Sequence, residues 1–365
     1  MKKTLDKPFL LSVLILIVVG FFIFSSASLG LLAREGERYS NVAFSQTFFG
    51  LFLGSILLIV CSRIPYKVWR KYSFFFFIGG LIATALVFVP GLGFEHGGAK
   101  RWLIIAGQSV QPSEFLKAAF VIYVAAWMSG VKEKIGTWKY GLLPLLCISA
   151  AAGVILLSQP DTDTFLVMFA AGLAMFLTAG GKWRHIFALF AVALVGIMIM
   201  ATFRPYIKQR IMTFINPSTN SQTSGYQIQQ SLIAIGSGGF AGRGFGQSIQ
   251  KFNFLPEPIG DSIYAVAAEE FGFVGATLIV FLFVFFAIRG LKIAARIDDT
   301  FGRLLVVGIV ILVVSQAFNN IGAMVGILPL TGIPLPFVSH GGTALLITLG
   351  LMGIVLNISR HQKKV

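Results

Sequence analysis

Charged residues are scarce in this sequence of 365 residues. Asp, Glu, Lys and Arg together make up 12% of the chain, whereas hydrophobic residues make up 56%. A water-soluble protein has no way to cover so many apolar side chains with so little charge. The composition therefore excludes a soluble globular domain and indicates an integral membrane protein.

Cysteine and histidine are also rare, with two Cys and four His residues. Both cysteines, Cys61 and Cys147, fall within apolar runs, so no disulfide framework is indicated.

Basic residues number 29 and acidic residues 14, which gives a net charge of +15. Anionic lipid headgroups explain most of this charge, and no nucleic acid partner is implied.

Runs of about 18 or more mostly apolar residues each predict one transmembrane helix, because the hydrocarbon core of a bilayer is about 30 Å thick. Ten such runs predict an all-α polytopic membrane protein, organised as a single integral membrane domain over residues 1–365. The first run is too long for a cleaved signal peptide. The predicted spans are Phe9–Ala33, Phe44–Ile64, Ser73–Leu92, Ser113–Gly130, Trp138–Leu157, Thr162–Ala179, His185–Phe203, Ile263–Ile288, Leu304–Val325 and Gly341–Ile358.

The distribution of Lys and Arg predicts the orientation of these spans. With the N-terminus inside, the inner segments carry 19 of the 29 basic residues and the outer segments carry 9. Cytoplasmic segments are enriched in Lys and Arg. We therefore expect both termini to be cytoplasmic.

One connection is far longer than a membrane crossing requires. Residues 204–262, between the seventh and eighth spans, form a predicted large extracytoplasmic loop. Within it, YQIQQSLIAIG (226–236) places Ile228, Leu232 and Ile235 on one face of a short amphipathic helix. Long connections of this kind often carry function.

Glycine is concentrated in the same loop, with six glycines between Gly236 and Gly246. The pattern resembles nucleotide-binding loops, but no Walker lysine follows it and no strand precedes it. Two interpretations stay open. The glycines let the backbone pack closely or turn sharply, or their N–H groups cradle a phosphate.

The loop is also basic, which again has two interpretations. Its cations contact anionic lipid headgroups, or they bind an anionic lipid-linked ligand. The charged residues concerned are Lys208, Arg210, Arg243 and Lys251, against Glu257 and Asp261.

Ionisable residues near or inside the spans are costly in lipid and require partners. Glu114 and Lys117 lie three residues apart, on one face of the fourth span. Asp161 lies in the tight turn after the fifth span, so we predict a structural ion pair between Lys117 and Asp161; contact of Lys117 with an anionic ligand is the alternative. Glu269 and Glu270, in the eighth span, are expected to pair within the bundle.

A single aspartate stands where the long loop ends. In FNFLPEPIGDS (252–262), two prolines and a glycine lead to Asp261, and the eighth span begins at Ile263. An Asp that precedes a helix is a favourable N-cap.

Short motifs follow one another along most of the chain. They are RWL (101–103), QPSEFLK (111–117), QPD (159–161), NP (216–217), GYQIQQSLIAIGSGG (225–239), GRGFGQSIQKFNFLPE (242–257), YAVAAEEFG (264–272), QAFNNIG (316–322) and LPLTGIPLPFVSHGGT (328–343). In this order, together with Asp261, they resemble the SEDS family of polytopic membrane glycosyltransferases, the group of FtsW, RodA and SpoVE. SIQKFNFLPE and NISRH (357–361) favour the FtsW branch.

The resemblance implies a function, a location and partners. It implies a peptidoglycan glycosyltransferase that polymerises lipid II, during cell division or cell-wall elongation, and releases polyprenyl pyrophosphate. The enzyme would lie in the bacterial inner membrane with its active site on the extracytoplasmic side. Its partners would be a class B penicillin-binding protein, which is a transpeptidase, and other division or elongation proteins.

The same resemblance implies Asp261 as the catalytic residue. A sugar hydroxyl needs a general base, whereas pyrophosphate leaves without a proton, so one carboxylate with nearby cations suffices. The resemblance leaves open whether a divalent cation such as Mg²⁺ or Mn²⁺ shares the role of these cations. No residue is assigned as a metal ligand. The candidate substrate-binding residues are Arg101, Lys117, Arg210, Arg243, Lys251 and Glu257.

The sequence departs from the family pattern in three places. Ile259 and Gly260 stand where His and Thr usually precede the aspartate, which changes the groups around it. Thr162 and Asp163 replace Leu and Gly, and His340 replaces a usual Tyr.

Two other functions are alternatives: a lipid II flippase or transporter, and a non-enzymatic division scaffold. Transport favours ionisable groups near the bilayer midplane and inverted repeats, whereas the charges here cluster at the outer end and no convincing repeat is found. A scaffold accounts for the helices but not for the long outer loop.

Overall fold

Apolar runs become helices because a helix satisfies its own backbone hydrogen bonds, which lipid is unable to do. The computed structural model describes residues 5–363 except 35, 97–98, 106, 190, 192–194, 196–201, 203–204 and 217–223. Within these residues, eight helices are long and apolar enough to cross a membrane. The predicted all-α polytopic membrane fold is confirmed.

The helices follow one another with few long connections. We number them α1 (Lys7–Arg34), α2 (Gly36–Phe44), α3 (Gly54–Arg63), α4 (Lys67–Ala85), α5 (Pro112–Val131), α6 (Leu143–Ser158), α7 (Thr162–Thr178), α8 (Pro205–Ile215), α9 (Ser224–Ser237), α10 (Gln250–Asn253), α11 (Ile263–Ala295), α12 (Thr300–Met324) and α13 (Gly342–Ser359). A π-helical segment, Ser45–Leu53, joins α2 to α3, and a second, Trp138–Leu142, leads into α6.

Eight of the ten predicted spans coincide with helices long enough to cross a membrane. The sixth corresponds to α7, which is apolar but shorter. The seventh, His185–Phe203, lies largely outside the described residues, although residues 183–189 are helical. The eighth, α11, continues past its predicted end at Ile288 to Ala295.

Three helices form the centre of the bundle. In the most apolar 18-residue window of each helix, 72% of the residues are buried in α12 and in α13, and 67% in α5. In the span Tyr39–Arg63 the corresponding share is 22%. Helix α12 contacts α5, α7, α11 and α13. The peripheral helices turn apolar faces outward, as expected where lipid is the solvent.

The two ends of the chain meet at one end of the bundle. The backbone N–H of Asp6 donates to Ser359 Oγ at 3.2 Å, and the N–H of Lys363 donates to the carbonyl of Arg296 at 3.0 Å. Asp6 Oδ2 also pairs with Arg289 at 2.9 Å. Residues 6 and 363 therefore lie on the same side of the bundle.

A small β-sheet, which the sequence did not reveal, occupies the connection between α4 and α5. Strands β1 (Gly93–His96), β2 (Ala99–Ile105) and β3 (Gln108–Val110) pair antiparallel in that order. Trp102 on β2 lies opposite Phe94 on β1. The sheet gives Arg101 a defined backbone position instead of leaving it on an irregular loop.

The predicted amphipathic helix of the long loop is confirmed as α9. Its buried face differs in part from the predicted one. Ile228 is buried, but Leu232 is 44% exposed, and Ser231 and Ala234 take its place against the bundle.

Helix α11 is broken at Gly272, whose φ of 64° and ψ of −164° are not helical. The glycine-rich segment covers this break: the N–H groups of Arg243 and Gly244 donate to the carbonyls of Glu269 and Glu270, at 3.0 and 2.9 Å. A Cβ on Gly242 would lie 2.2 Å from the Glu270 carbonyl oxygen. These contacts favour the close-packing interpretation of the glycines over a phosphate cradle.

A buried charge cluster anchors the same segment. Lys251 is fully buried, and its Nζ donates to Glu270 Oε1 at 2.7 Å, to Ser26 Oγ at 2.9 Å and to the Gly246 carbonyl at 2.8 Å. Arg243 Nε lies 3.3 Å from Glu269 Oε1. The expected pairing of both glutamates within the bundle is confirmed.

Removal of one partner from this cluster should be costly. We expect Lys251→Ala to lower the free energy of unfolding by about 3–5 kcal/mol, because it leaves the Glu270 carboxylate buried without its cation. The control is Lys363→Ala, whose partner Asp298 is 73% exposed, and a change of about 0–1 kcal/mol is expected there. Thermal unfolding in detergent measures both. Equal melting of the two variants would contradict the structural role of Lys251.

Candidate active site

A cavity of about 880 Å³ opens at the end of the bundle opposite residues 6 and 363. The starts of α5, α7 and α13 and the residues just before α11 line it, and the β-sheet and α8 contribute to its wall. Among the candidates proposed from the sequence, it gathers Arg101, Lys117, Arg210, Glu257 and Asp261. Asp161 lines it as well.

Asp261 is half-buried in this cavity. Burial raises the pKa of its carboxyl to about 7; the nearby Glu257 raises the pKa further, and a hydrogen bond from Gln227 lowers it. The oxygen Oδ1 has no hydrogen-bond partner among the described residues. Ser262, and not Asp261, is the N-cap residue of α11, so the capping interpretation of Asp261 is not supported.

Hydrogen bonds from α12 and from the segment between α12 and α13 hold the backbone around Asp261. Asn320 Nδ2 donates to the Asp261 carbonyl at 2.7 Å. Ser339 Oγ donates to the Gly260 carbonyl at 2.6 Å, and the N–H of His340 donates to the Ile259 carbonyl at 2.7 Å. The two residues that depart from the family pattern before the aspartate are therefore held through their main-chain atoms.

Lys117 is buried beside the cavity with two partners. Its Nζ lies 2.9 Å from Glu114 Oε1 and donates to Gln316 Oε1 at 3.0 Å. The predicted ion pair between Lys117 and Asp161 is wrong. Glu114, one helical turn from Lys117, pairs with the ammonium instead. Asp161 instead pairs with Arg101, whose NH1 lies 3.6 Å from Oδ1.

Two guanidinium groups flank the start of α7. Arg101 bonds to the carbonyls of Gln159 and Pro160 as well as to Asp161. Arg210 NH1 lies 2.7 Å from Asp163 Oδ2. The unusual acidic residue at 163 is thus matched by a cation from α8.

Two predicted substrate-binding residues lie elsewhere. Arg243 and Lys251 do not line the cavity, because Glu269 and Glu270 hold them in the charge cluster near the break in α11. We therefore remove both from the candidate site. No group of three His, Cys, Asp or Glu side chains within the described ranges is arranged to hold a metal ion.

Comparison with known proteins identifies the family. Residues 7–364 match the model of the FtsW, RodA and SpoVE family, which is described as a cell cycle protein family. The protein belongs to this family.

Similar proteins extend over nearly the whole chain. The stage V sporulation protein E of Bacillus subtilis is 35% identical over 369 residues, which cover 99% of each protein. The probable peptidoglycan glycosyltransferase FtsW of Geobacter metallireducens is 38% identical over 311 residues, 85% of this chain and 83% of the relative. One chain of a solved peptidoglycan synthase complex shares the fold, with 24% identity, a TM-score of 0.82 and 99% of both chains covered.

Several residues that surround the site were not predicted from the sequence. They are amides and a hydroxyl that bind other protein groups, and of these Gln227 also lines the cavity. One signal in the sequence could have identified two of them, since polar amides inside an apolar helix require partners. The residues are Gln46, Gln227, Gln316, Asn320 and Ser339.

The carboxyl of Asp261 should titrate near neutral pH. We expect an infrared carboxylic acid band that disappears with a midpoint of about pH 7 and is missing in Asp261→Asn. Gln227→Leu removes a hydrogen bond to the carboxyl and should move the midpoint to higher pH. Glu257→Gln removes a neighbouring negative charge and should move it lower. A midpoint near 4 in the unmodified protein would show that the carboxyl is well solvated.

Proposed function

We propose that the protein is a peptidoglycan glycosyltransferase that polymerises lipid II into glycan strands and releases polyprenyl pyrophosphate. The observation that carries the proposal is a carboxylate with a raised pKa, Asp261, in one cavity with three cations. Membership of a family whose relatives include a probable peptidoglycan glycosyltransferase supports it.

Asp261 acts as the general base in this proposal. The 4-hydroxyl of the acceptor sugar loses its proton to the carboxylate while its oxygen bonds to the anomeric carbon of the donor. The bond from that carbon to the diphosphate breaks, and the electron pair leaves with the diphosphate. A base with a pKa near the working pH is effective in such a transfer, which agrees with a pKa of about 7.

Arg101, Lys117 and Arg210 provide positive charge for the diphosphates. Each of them already has a carboxylate partner: Asp161, Glu114 and Asp163 respectively. These carboxylates fix the cations in place before substrate arrives. Preorganised charge of this kind stabilises a developing anion without reorganisation during the reaction.

The side of the membrane and the partners follow from the same proposal. The excess of Lys and Arg in the inner segments supports a cytoplasmic position for both termini. The cavity would then open on the extracytoplasmic side.

Because a structural relative belongs to a complex that coordinates polymerization with crosslinking, we propose a class B penicillin-binding protein as a partner. The FtsW and SpoVE relatives favour a role in division or sporulation.

Purified protein with labelled lipid II tests the proposed activity. We expect the unmodified protein to produce ladders of glycan and Asp261→Asn to produce none while remaining folded. The matched control is Asp298→Asn, an exposed aspartate at the other end of the bundle, which should retain activity. Ladders from Asp261→Asn would exclude it as the base. Translocation of lipid II without ladders would favour a flippase.

The cavity cations should act mainly on substrate binding. We expect Arg210→Ala to raise the KM for lipid II by about 10-fold or more, since a lost charge-assisted hydrogen bond costs about 1.5–3 kcal/mol. Lys100→Ala, an exposed cation on β2 that does not line the cavity, is the comparison and should leave KM within about 2-fold. Steady-state initial rates measure both. A larger rise in KM for Lys100→Ala would place the diphosphate elsewhere.

A further inference from the structure

Two buried amides lie one turn apart on α12, and the reaction proposed above makes no direct use of them. Gln316 and Asn320 are buried, and neither lines the cavity. Residues four apart lie on the same face of a helix. Both side chains therefore lie behind the residues that line the cavity.

Asn320 ties two stretches of irregular backbone together. Its Nδ2 donates to the carbonyl of Asp261 at 2.7 Å and to the carbonyl of Ile333 at 2.8 Å. Both amide hydrogens are thereby used on main-chain atoms, one of them in the residue whose carboxylate serves as base. The position of the Asp261 main chain relative to α12 depends on this contact.

Gln316 makes the corresponding contact to the cation. Its Oε1 accepts from Lys117 Nζ at 3.0 Å, and its Nε2 donates to the carbonyl of Pro334 at 3.0 Å. The ammonium is held between this amide and Glu114. Because Pro334 lies next to Ile333, the two amides bind adjacent carbonyls of one loop.

We propose that Asn320 and Gln316 are a pair of positioning residues for the reaction. Asn320 sets where the Asp261 carboxylate meets the acceptor hydroxyl, and Gln316 sets the direction of the Lys117 ammonium. Both amides bind the same loop, at Ile333 and Pro334. This shared attachment keeps the distance between the Asp261 carboxylate and the Lys117 ammonium constant. This inference rests on the proposed function.

The hydrogen bonding of Asn320 is unusual for a residue that only supports packing. Its Oδ1 is buried and has no partner among the described residues. Leaving a buried acceptor unpaired carries a free-energy cost, and an apolar residue of similar size would avoid it. Such local conflicts concentrate at functional sites. The presence of an amide at this position is explained by its two N–H groups, which bind the carbonyls of Asp261 and Ile333.

The first test compares neighbouring asparagines on α12. We expect Asn320→Ala to lower kcat for lipid II polymerisation by about 10- to 100-fold, because a base misplaced by about 1 Å loses about that much rate. KM should stay within about 2-fold. Asn319→Ala is the matched control, since Asn319 is only half-buried, and it should leave both constants unchanged.

The second test separates the two amides. Gln316→Leu removes both hydrogen bonds and should raise KM more than it lowers kcat, because the Lys117 ammonium loses its direction. Gln316→Glu keeps an acceptor for Lys117 and should restore KM to within about 3-fold of the original value. Rescue by this variant is not expected if Gln316 serves only to hold the Pro334 loop.

The outcomes are distinguishable. Equal kcat values for Asn320→Ala and Asn319→Ala, or no difference between Gln316→Leu and Gln316→Glu, would overturn the proposal. Each variant is first checked for a monodisperse, cooperatively melting protein in detergent, and Asn320→Ser replaces Asn320→Ala if the latter fails to fold. If the unmodified protein forms no glycan, the proposed function has failed, and not the positioning roles alone.

Discussion

A main chain that leaves helical geometry within a bilayer must find its hydrogen-bond partners inside the protein, and this constraint shapes the whole site. The segment between α12 and α13 is irregular, and side chains take up its carbonyls: Asn320 binds Ile333 and Gln316 binds Pro334. The break in α11 is covered in the same way by the glycine-rich segment. Both departures from helix are therefore tied to specific partners, and the segment between α12 and α13 also lines the cavity.

Charge is balanced locally around the cavity. Arg101 and Arg210 pair with Asp161 and Asp163, two carboxylates at the start of one helix. The two carboxylates are buried, and a buried carboxylate without a cation would carry a large desolvation penalty. The pairing lowers that penalty, and an arriving diphosphate would share the guanidinium groups with the carboxylates. Binding of substrate would then be an exchange of partners and not the filling of an uncompensated positive pocket.

The fold was largely predictable from the sequence because lipid imposes a simple length and hydropathy rule. The rule located nine of the described helical regions but not the β-sheet that carries Arg101, since short strands in a connection leave little periodic signal. The positive charge of the outer loop led to the prediction that Lys251 binds substrate, because the sequence gives no indication that Glu270 lies close to it in space.

The site was partly predictable for a related reason. The motifs pointed to Asp261, Lys117 and Arg101, which the structure brings together. Some partners of these residues come from sequence positions far away, such as Gln316 for Lys117 at a separation of 199 residues. The predicted bond from Lys117 to Asp161 assumed contact between two spans, whereas the ammonium pairs with Glu114, three residues earlier on the same helix.

The π-helical segment Ser45–Leu53 sets the rotation of the second membrane-spanning region. Buried Gln46 at its start donates to the Ser339 carbonyl at 3.3 Å and accepts from the Gly341 N–H at 3.0 Å. A π turn accommodates one residue more than an α turn does. If the same residues took α geometry, everything before them would be turned by about 100°, the rotation of one residue. Gln46 would then face away from the loop, so its two contacts depend on the π geometry of this stretch.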